Sequence, residues 1–560
     1  MAHPGEQFYP EGVHWDDPIA QGTLPDLLSK AATDYGARTA LEFRDRPISY
    51  AGLEAMVEVA AASFLRAGYG KNASVALFLG NSPDHPVNFF GALKAGARVV
   101  HLSPLDGERA LSHKLSDSGA RVLVTSDLAA LMPMALKFLE KGLLDRLIVC
   151  EDDHWGAVGN PHTPIPGNPA IVTFRKFTEG ATRPAQWPNV AVDDVALLQY
   201  TGGTTGLPKG AMLTHGNLTS AVSIYDVWGK NSRARRNGPA RVICVLPLFH
   251  IFALTVILLR SLEGGDLISL HQRFDVEAVM RDIEVKRATD FPGVPTMWIA
   301  IASLPDLDRR DLSSLVSCGS GGAPLPVEVA RIFERKTNMK LKSGWGMTET
   351  CSPGTAHPPE GPEKPGSIGL MLPGIEMDVV TLEDSRKILA PGEVGEIRIR
   401  GPNVTKGYWN RPQETADAFV GDRFLTGDIG YMDEDGYFYL VDRKKDMIIS
   451  GGFNVYPQMI EQAMYEHPAV HEVIVIGIPD DYRGEAAKAF VKLRAGAKPF
   501  TLEELKAFLA GKLGKHEIPA ALEFVEELPR TSVGKLSRHE LRNQQPAAPS
   551  RSQLASGGRV

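Results

Sequence analysis

The sequence lacks the features that would assign it quickly, and each lack excludes something. It has only four cysteines in 560 residues, Cys150, Cys244, Cys318 and Cys351. They are scattered, without the paired spacing of a metal knuckle, a redox motif or a disulfide framework. They read as reduced core or loop residues, the usage expected of a cytoplasmic protein. There is no excess of positive charge: 60 Lys and Arg against 67 Asp and Glu leave a net charge of -7, which gives no general attraction to nucleic acid or to an acidic membrane. There is no long apolar run either. The stretch 251–259 stops at Arg260, far short of the roughly 20 residues that span a bilayer. No basic segment followed by an apolar run opens the chain, so no secretory signal is expected. No repeat of about 20 to 50 residues is visible. Residues 546–560, rich in Pro, Ala, Ser and Gly, read as a disordered tail.

What is present is ordinary bulk and a few unusual loops. The chain is 43% hydrophobic and 23% charged, the balance of a globular protein, and long enough for two or more domains. Residues 200–210 read Tyr-Thr-Gly-Gly-Thr-Thr-Gly-Leu-Pro-Lys-Gly. Gly202, Gly203 and Gly206 let the backbone turn its N–H groups toward an anion. Thr201, Thr204 and Thr205 add hydroxyls, and Lys209 adds a point charge. This composition suits a polyphosphate, although a Gly/Thr-rich hairpin turn is the plainer alternative. The common nucleotide P-loop is excluded, because it needs Gly-Lys-Ser/Thr opening a helix. Here Pro208 precedes Lys209, and strand-like flanks at 195–200 and 210–213 predict a loop between two strands.

From about residue 24 to 149, helical patterns at 26–35 and 50–67 alternate with short apolar strands at 74–79, 97–101 and 121–125. That alternation predicts an open α/β sheet. Residues 152–189, rich in Pro, Gly and Thr, read as a surface connection. A helix is expected over 217–228 with Asn217 as a plausible cap. The basic stretch 229–241 reads as a solvated loop. His250 follows an apolar strand among large apolar residues, where a histidine is usually part of the core.

Further strands are expected at 285–289, 315–320 and 340–343, with helices at 294–302 and 326–336. Gly321, Gly322, Ala323 and Pro324 form a second glycine-rich turn, able to admit a flat ring or to pack a strand on a helix. The loop Trp345, Gly346, Met347, Thr348 and Glu349 carries an aromatic that can stack and a carboxylate suited to Mg²⁺. Asp428, in Thr-Gly-Asp, either caps its own turn or clasps vicinal hydroxyls. After the charged run 442–446 the pattern changes to a compact α+β unit of about one hundred residues, a viable small domain. It ends in a polar loop that presents Lys535 after a glycine.

Taken in order, the stretches 201–210, 247–250, 344–349, 426–428, 442–452 and 529–535 resemble the adenylate-forming superfamily and, within it, the acyl-CoA synthetases, in particular the fatty-acid branch. The likeness runs from about residue 24 to 542. It implies an α/β protein: a large N-terminal domain, 1–443, of two α/β subdomains plus a distorted β-barrel, and a small mobile α+β lid, 444–545. It implies that a carboxylic acid is joined to AMP from Mg·ATP and then transferred to coenzyme A. Lys535 would stabilise adenylation. The phosphates would rest on the 201–209 loop, and Glu349 with Thr204 or Thr205 would hold Mg²⁺. Adenine would lie between the 321–324 turn and Trp345, where many relatives carry tyrosine, and Asp428 would take the ribose beside Arg443. Lys445 matches the hinge, His250 a gate for the thiol, and Gly451, Gly452 and Phe453 a pantetheine tunnel. The acid is expected to be a medium-to-long-chain fatty acid, lined by residues near 291–301 and 317–320, or a dicarboxylic acid such as pimelate if a cation stands at the pocket's far end. Related enzymes also imply a homodimer, and a lysine acetyltransferase and deacetylase acting on Lys535. Two other functions fit the sequence: an acyl-AMP ligase that loads a carrier protein, and a non-catalytic nucleotide-binding protein.

Overall fold

Short runs of apolar, often β-branched residues separated by amphipathic helices build two open sheets. The computed structural model describes residues 3–201, 207–234, 238–361, 364–451, 453–480, 482–530 and 536–544. The first sheet has seven strands, ordered Ile171–Thr173, Arg146–Cys150, Val122–Ser126, Ser74–Leu77, Arg98–His101, Val195–Thr201 and Lys209–Thr214. All neighbours are parallel except the last pair, an antiparallel hairpin. The second has nine strands. Its middle, Lys342–Trp345, Ser317–Ser320, Asp290–Gly293, Arg241–Cys244, Leu267–Leu270 and Thr39–Phe43, is parallel. Parallel strands must be covered on both faces. One core lies on the inner faces, joining Val75, Leu77 and Val99 of the first sheet to Leu41, Val242 and Ile268 of the second through Tyr50, Phe64 and Phe89 on intervening helices, while separate clusters that include Leu123 and Phe138, and Ile243, Phe291 and Phe333, cover the opposite faces.

A third, antiparallel sheet, with Glu376–Val380, Gly395–Arg400, Arg423–Met432 and Phe438–Arg443, is the counterpart of the expected barrel. The C-terminal region has a sheet of its own, in which Val470–Asp480 pairs with Gly484–Leu493. Helices Pro457–Tyr465 and Leu502–Leu509 pack on it around a separate core that includes Ile460, Met464, Val473, Val491 and Leu505. All four cysteines are free and buried. Among the described residues, no helix is long and apolar enough to cross a membrane.

Several elements differ from the sequence expectation. The strand expected at 285–289 lies instead at Asp290–Gly293. Val285 ends the preceding helix and is 70% exposed, and Arg287 turns the chain at φ 56. The connection 152–189 contributes an edge strand, Ile171–Thr173, and a short helix, Phe174–Thr178, anchored by buried Phe177. The helix expected at 217–228 runs His215–Ala234 and takes in part of the basic stretch. It opens on Thr214 rather than Asn217: Thr214 Oγ1 accepts from Asn217 N at 3.0 Å, and Asn217 Oδ1 accepts from Thr214 N at 3.1 Å. The two satisfy each other in the manner of a capping box.

Candidate active site

In open α/β sheets the crevice beyond the carboxyl ends of the strands is where ligands gather. Here the strands Val195–Thr201, Arg241–Cys244, Ser317–Ser320 and Lys342–Trp345 deliver their following loops to one cleft of about 1940 Å³. Its walls include Thr201, Lys209, His250, the turn Gly321, Gly322, Ala323 and Pro324, the loop Trp345, Gly346, Met347, Thr348 and Glu349, and Arg443 and Lys445. Residues more than 240 positions apart are therefore brought together.

The loop after Lys342–Trp345 is folded tightly. A Cβ on Gly346 would stand 1.3 Å from Ser352 O, so only glycine permits this closure. The closure turns Trp345 inward, where its Nε1 donates to Asp428 Oδ2 at 2.7 Å. Asp428 Oδ1 is 2.5 Å from Arg443 Nε. Asp428 is buried and its carboxylate already has two partners. Arg443 is raised in turn by Asp428.

Glu349 is buried, and burial raises its pKa. The Tyr408 hydroxyl donates to Glu349 Oε1 at 2.9 Å and, with Arg443, works against that rise. The Tyr408 ring also lies 4.9 Å from Lys209 Nζ, a cation–π contact. A hard carboxylate oxygen in a cleft that also holds Lys209 is a chemically suitable ligand for Mg²⁺. Among the described residues the one cluster with metal-ligand spacing is Asp152, Asp153 and His162, none of which lines the cleft. His250 Nδ1 accepts from Phe252 N at 3.3 Å.

Gly202, Gly203, Thr204, Thr205, Gly206, Gly452 and Lys535 lie outside the described residues. The base of the lysine loop is described: Arg530 and Leu536 form an antiparallel bridge. Leu536, Ser537 and Arg538, which directly follow Lys535, line the cleft. Arg538 is held by three carboxylates, Glu461 at 2.6 Å, Asp442 at 3.3 Å and Asp446 at 3.5 Å. Arg542 adds a contact to Asp446 at 2.7 Å. This network ties the lysine loop's far flank to the segment that carries Lys445, whose pKa burial lowers.

Two groups of expected residues lie wholly or partly outside the cleft lining in this structure. Gly451 and Phe453 do not line the cleft. Phe453 is 60% exposed, its ring 4.9 Å from that of His516, at the tip of a hairpin. Of the expected acyl lining, Phe291, Trp298 and Ile301 are core residues of the second sheet, whereas Val294, Ile299 and residues 317–320 do line the cleft. Tyr408 and Arg260 line it without having been singled out. Tyr408 sits in Lys-Gly-Tyr-Trp-Asn, an aromatic run whose partner, Glu349, lies 59 residues upstream.

Comparison with known proteins agrees with this geometry. The model of the AMP-binding enzyme family matches residues 28–409, and that of the AMP-binding enzyme C-terminal domain matches 459–535. The long-chain-fatty-acid–CoA ligase of Bacillus subtilis (strain 168) is 38% identical over 549 residues, which cover 95% of this chain and 96% of the relative. The feruloyl-CoA synthase of Amycolatopsis sp is 38% identical over 515 residues, 90% of this chain and 95% of the relative. Among solved structures, o-succinylbenzoate coenzyme A synthetase from Bacillus subtilis, in complex with ATP and magnesium ion, superposes with a TM-score of 0.77 at 29% identity, covering 94% of this chain and 99% of that one. With a cleft of this build and matches running over nearly its whole length, the chain belongs to the AMP-binding enzyme family.

Proposed function

We propose that the chain is an ATP-dependent acid–thiol ligase. It would activate a medium-to-long-chain fatty acid, or a dicarboxylic acid such as pimelate, as its acyl adenylate and pass the acyl group to coenzyme A, with release of AMP and pyrophosphate. The observation that carries this reading is the single cleft in which Thr201, Lys209, Trp345, Glu349, Arg443 and His250 meet the residues that follow Lys535. Relatives named as CoA ligases, matched over almost their full length, support it.

A free carboxylate is a poor acyl donor, since its charge repels a thiolate and its leaving group would be oxide. Joining it to AMP supplies a good leaving group, and the barrier to that step is largely repulsion between the acid and the nucleotide. Lys535 would lower this barrier by bridging the acid and the α-phosphate. A donor placed where charge develops contributes about a hundredfold to a thousandfold in rate. The 201–209 loop would hold the outer phosphates. Trp345 and the 321–324 turn would flank adenine, and Asp428 with Arg443 would hold the ribose. Glu349, with Thr204 or Thr205, would hold Mg²⁺, which when bound neutralises phosphate charge. For the second half, residues 444–545 would act as a lid turning at Lys445 against 1–443. That rotation would bring the segment of Gly451, Gly452 and Phe453 to the thiol's path past His250.

The protein would work in the cytoplasm, as a homodimer by analogy with related enzymes. Acetylation of Lys535 would remove the charge that adenylation needs. Mass spectrometry of native protein, with activity measured before and after deacetylation, tests that regulation. The deciding experiment for the function is a carboxylic-acid panel assayed for AMP and thioester, with coenzyme A or a carrier protein as acceptor. Acid-dependent AMP and acyl-CoA formation is expected. Thioester only on the carrier would favour the carrier-loading alternative, and no acid-dependent AMP at all would favour a non-catalytic nucleotide-binding protein. The presence of Glu349, Asp428 and Lys535 together argues against the latter.

A further inference from the structure

The cleft does not end in hydrocarbon. Phe252, Val256 and Arg260 follow one another at four-residue intervals along its wall. They lie on and beside an i→i+5 helix, Ala253–Leu259, that runs directly into the helix Arg260–Gly264. Arg260 thus stands about two turns beyond Phe252 on the same wall. Its guanidinium lies against the helix His215–Ala234, with its central carbon 5.7 Å from the centroid of the Tyr225 ring. A Cβ on Gly229 would come within 2.8 Å of Arg260 Nη2, so glycine at that position gives the guanidinium its room. Tyr225 faces the opposite way as well: its hydroxyl is 3.3 Å from Ser352 Oγ, in the loop that carries Trp345 and Glu349. Arg260 thus stands beyond Tyr225, at the end of the cleft away from the nucleotide groups.

The carboxylates around Arg260 pair with other groups, and Asp226 senses the Arg260 charge without an ion pair between them among the described residues. Asp226 Oδ1 pairs with Arg233 at 3.0 Å, and Arg233 also reaches Asp266 Oδ2 at 3.7 Å. Asp266 Oδ1 accepts from Ala240 N at 2.7 Å. Glu263, on the same short helix, makes no ion pair with Arg260 among the described residues. Arg260 Nε is buried without a hydrogen-bond partner there. Arg260 lines the cleft and, among the described residues, its guanidinium makes no ion pair, so it can take up an anionic group that enters there. A guanidinium offers a planar fork that matches a carboxylate.

Resting on the reading of this cleft as an acyl-CoA ligase site, we propose that Arg260 is a specificity residue. It pairs with an anionic group at the distal end of the acyl chain, and the substrates include α,ω-dicarboxylic acids. One carboxylate goes to the reacting end, and the other closes the charge on Arg260. A chain that ends in a methyl group leaves that donor unmet and gains nothing from it.

The test uses the full-length enzyme with octanedioic and octanoic acid, following acyl-CoA formation at saturating ATP and coenzyme A. Wild type is expected to consume octanedioic acid. Arg260→Leu is expected to shift the ratio of kcat/KM for octanedioic over octanoic acid about ten- to hundredfold toward octanoic acid, chiefly through KM, and Arg260→Lys to recover part of it. Octanoate turnover by Arg260→Leu shows that the variant is folded. A wild type that consumes octanoic but not octanedioic acid would overturn the proposal, as would an Arg260→Leu variant with an unchanged ratio. In both cases octanoate turnover leaves the ligase reading standing. Failure of both acids in wild type would overturn the two together.

Discussion

At the scale of single residues, charge neutrality inside the cleft decides what each group can do. Glu349 is buried beside Tyr408 and near Arg443 and Asp428, and burial dominates, raising its pKa. A carboxyl with a raised pKa takes up its proton at a higher pH than a solvated one. Activity that depends on ionised Glu349 should therefore fall on acidification earlier than an ordinary glutamate would dictate. Glu349→Gln should sharply lower Mg²⁺-dependent turnover, and the residual rate should lack that acidic limb, which a pH–rate profile of AMP formation would reveal. Lys535→Ala should slow acid-dependent pyrophosphate release by about a hundredfold to a thousandfold while nucleotide binding persists; equal rates in the two proteins would refute the role given to the lysine.

At the scale of elements, two close-packed features carry measurable consequences. Gly346→Ala forces the loop away from Ser352 O and should destabilise by roughly 2–4 kcal/mol, with loss of the ATP-induced rise in Tm. Arg538→Ala leaves Glu461, Asp442 and Asp446 facing one another without their shared cation. Breaking such a buried cluster costs about 3–5 kcal/mol, to be read in denaturant unfolding followed by a probe in the C-terminal region. Most elements were legible from the residues because hydrophobic period is local: the helix expected at 26–35 is Leu24–Tyr35, and the one expected at 326–336 is Val327–Thr337. The candidate nucleotide residues were legible because glycine-rich loops announce themselves. What was not legible depends on tertiary partners or on backbone detail. The Trp345–Asp428 bond joins residues 83 apart, and Tyr408 meets Glu349 across 59. Arg260 reads as the end of an apolar run until an i→i+5 helix aims it into the cleft. The 285–289 segment has strand-like residues, yet a left-handed Arg287 and an exposed Val285 displace the strand by several positions.

At the scale of the whole molecule, burial of neutral histidines links stability to pH. His101 and His215 are both buried, and burial pushes each down to about 4 from 6.5. Between those values the unfolded chain binds protons that the folded one refuses, so stability rises with pH across that window. On acidification below 6.5 it should fall by about 1.4 kcal/mol per histidine for each pH unit, and Tm measured from pH 7 to pH 5 should follow. The lid rotation proposed for the second half-reaction gives a separate test. Lys445→Pro restricts the backbone at the hinge and should leave pyrophosphate release intact while acyl-adenylate accumulates and acyl-CoA formation stalls, as quench-flow product analysis would show. The buried thiols have a practical consequence. Cys150, Cys244 and Cys351 are at most 1% exposed and Cys318 only 4%, and burial pushes the Cys318 thiol up to about 12. A disulfide dye added to a running assay should thus stain coenzyme A well before the enzyme. The same dye, once four equivalents per chain begin to react, becomes a titrant for the fraction of molecules that have opened.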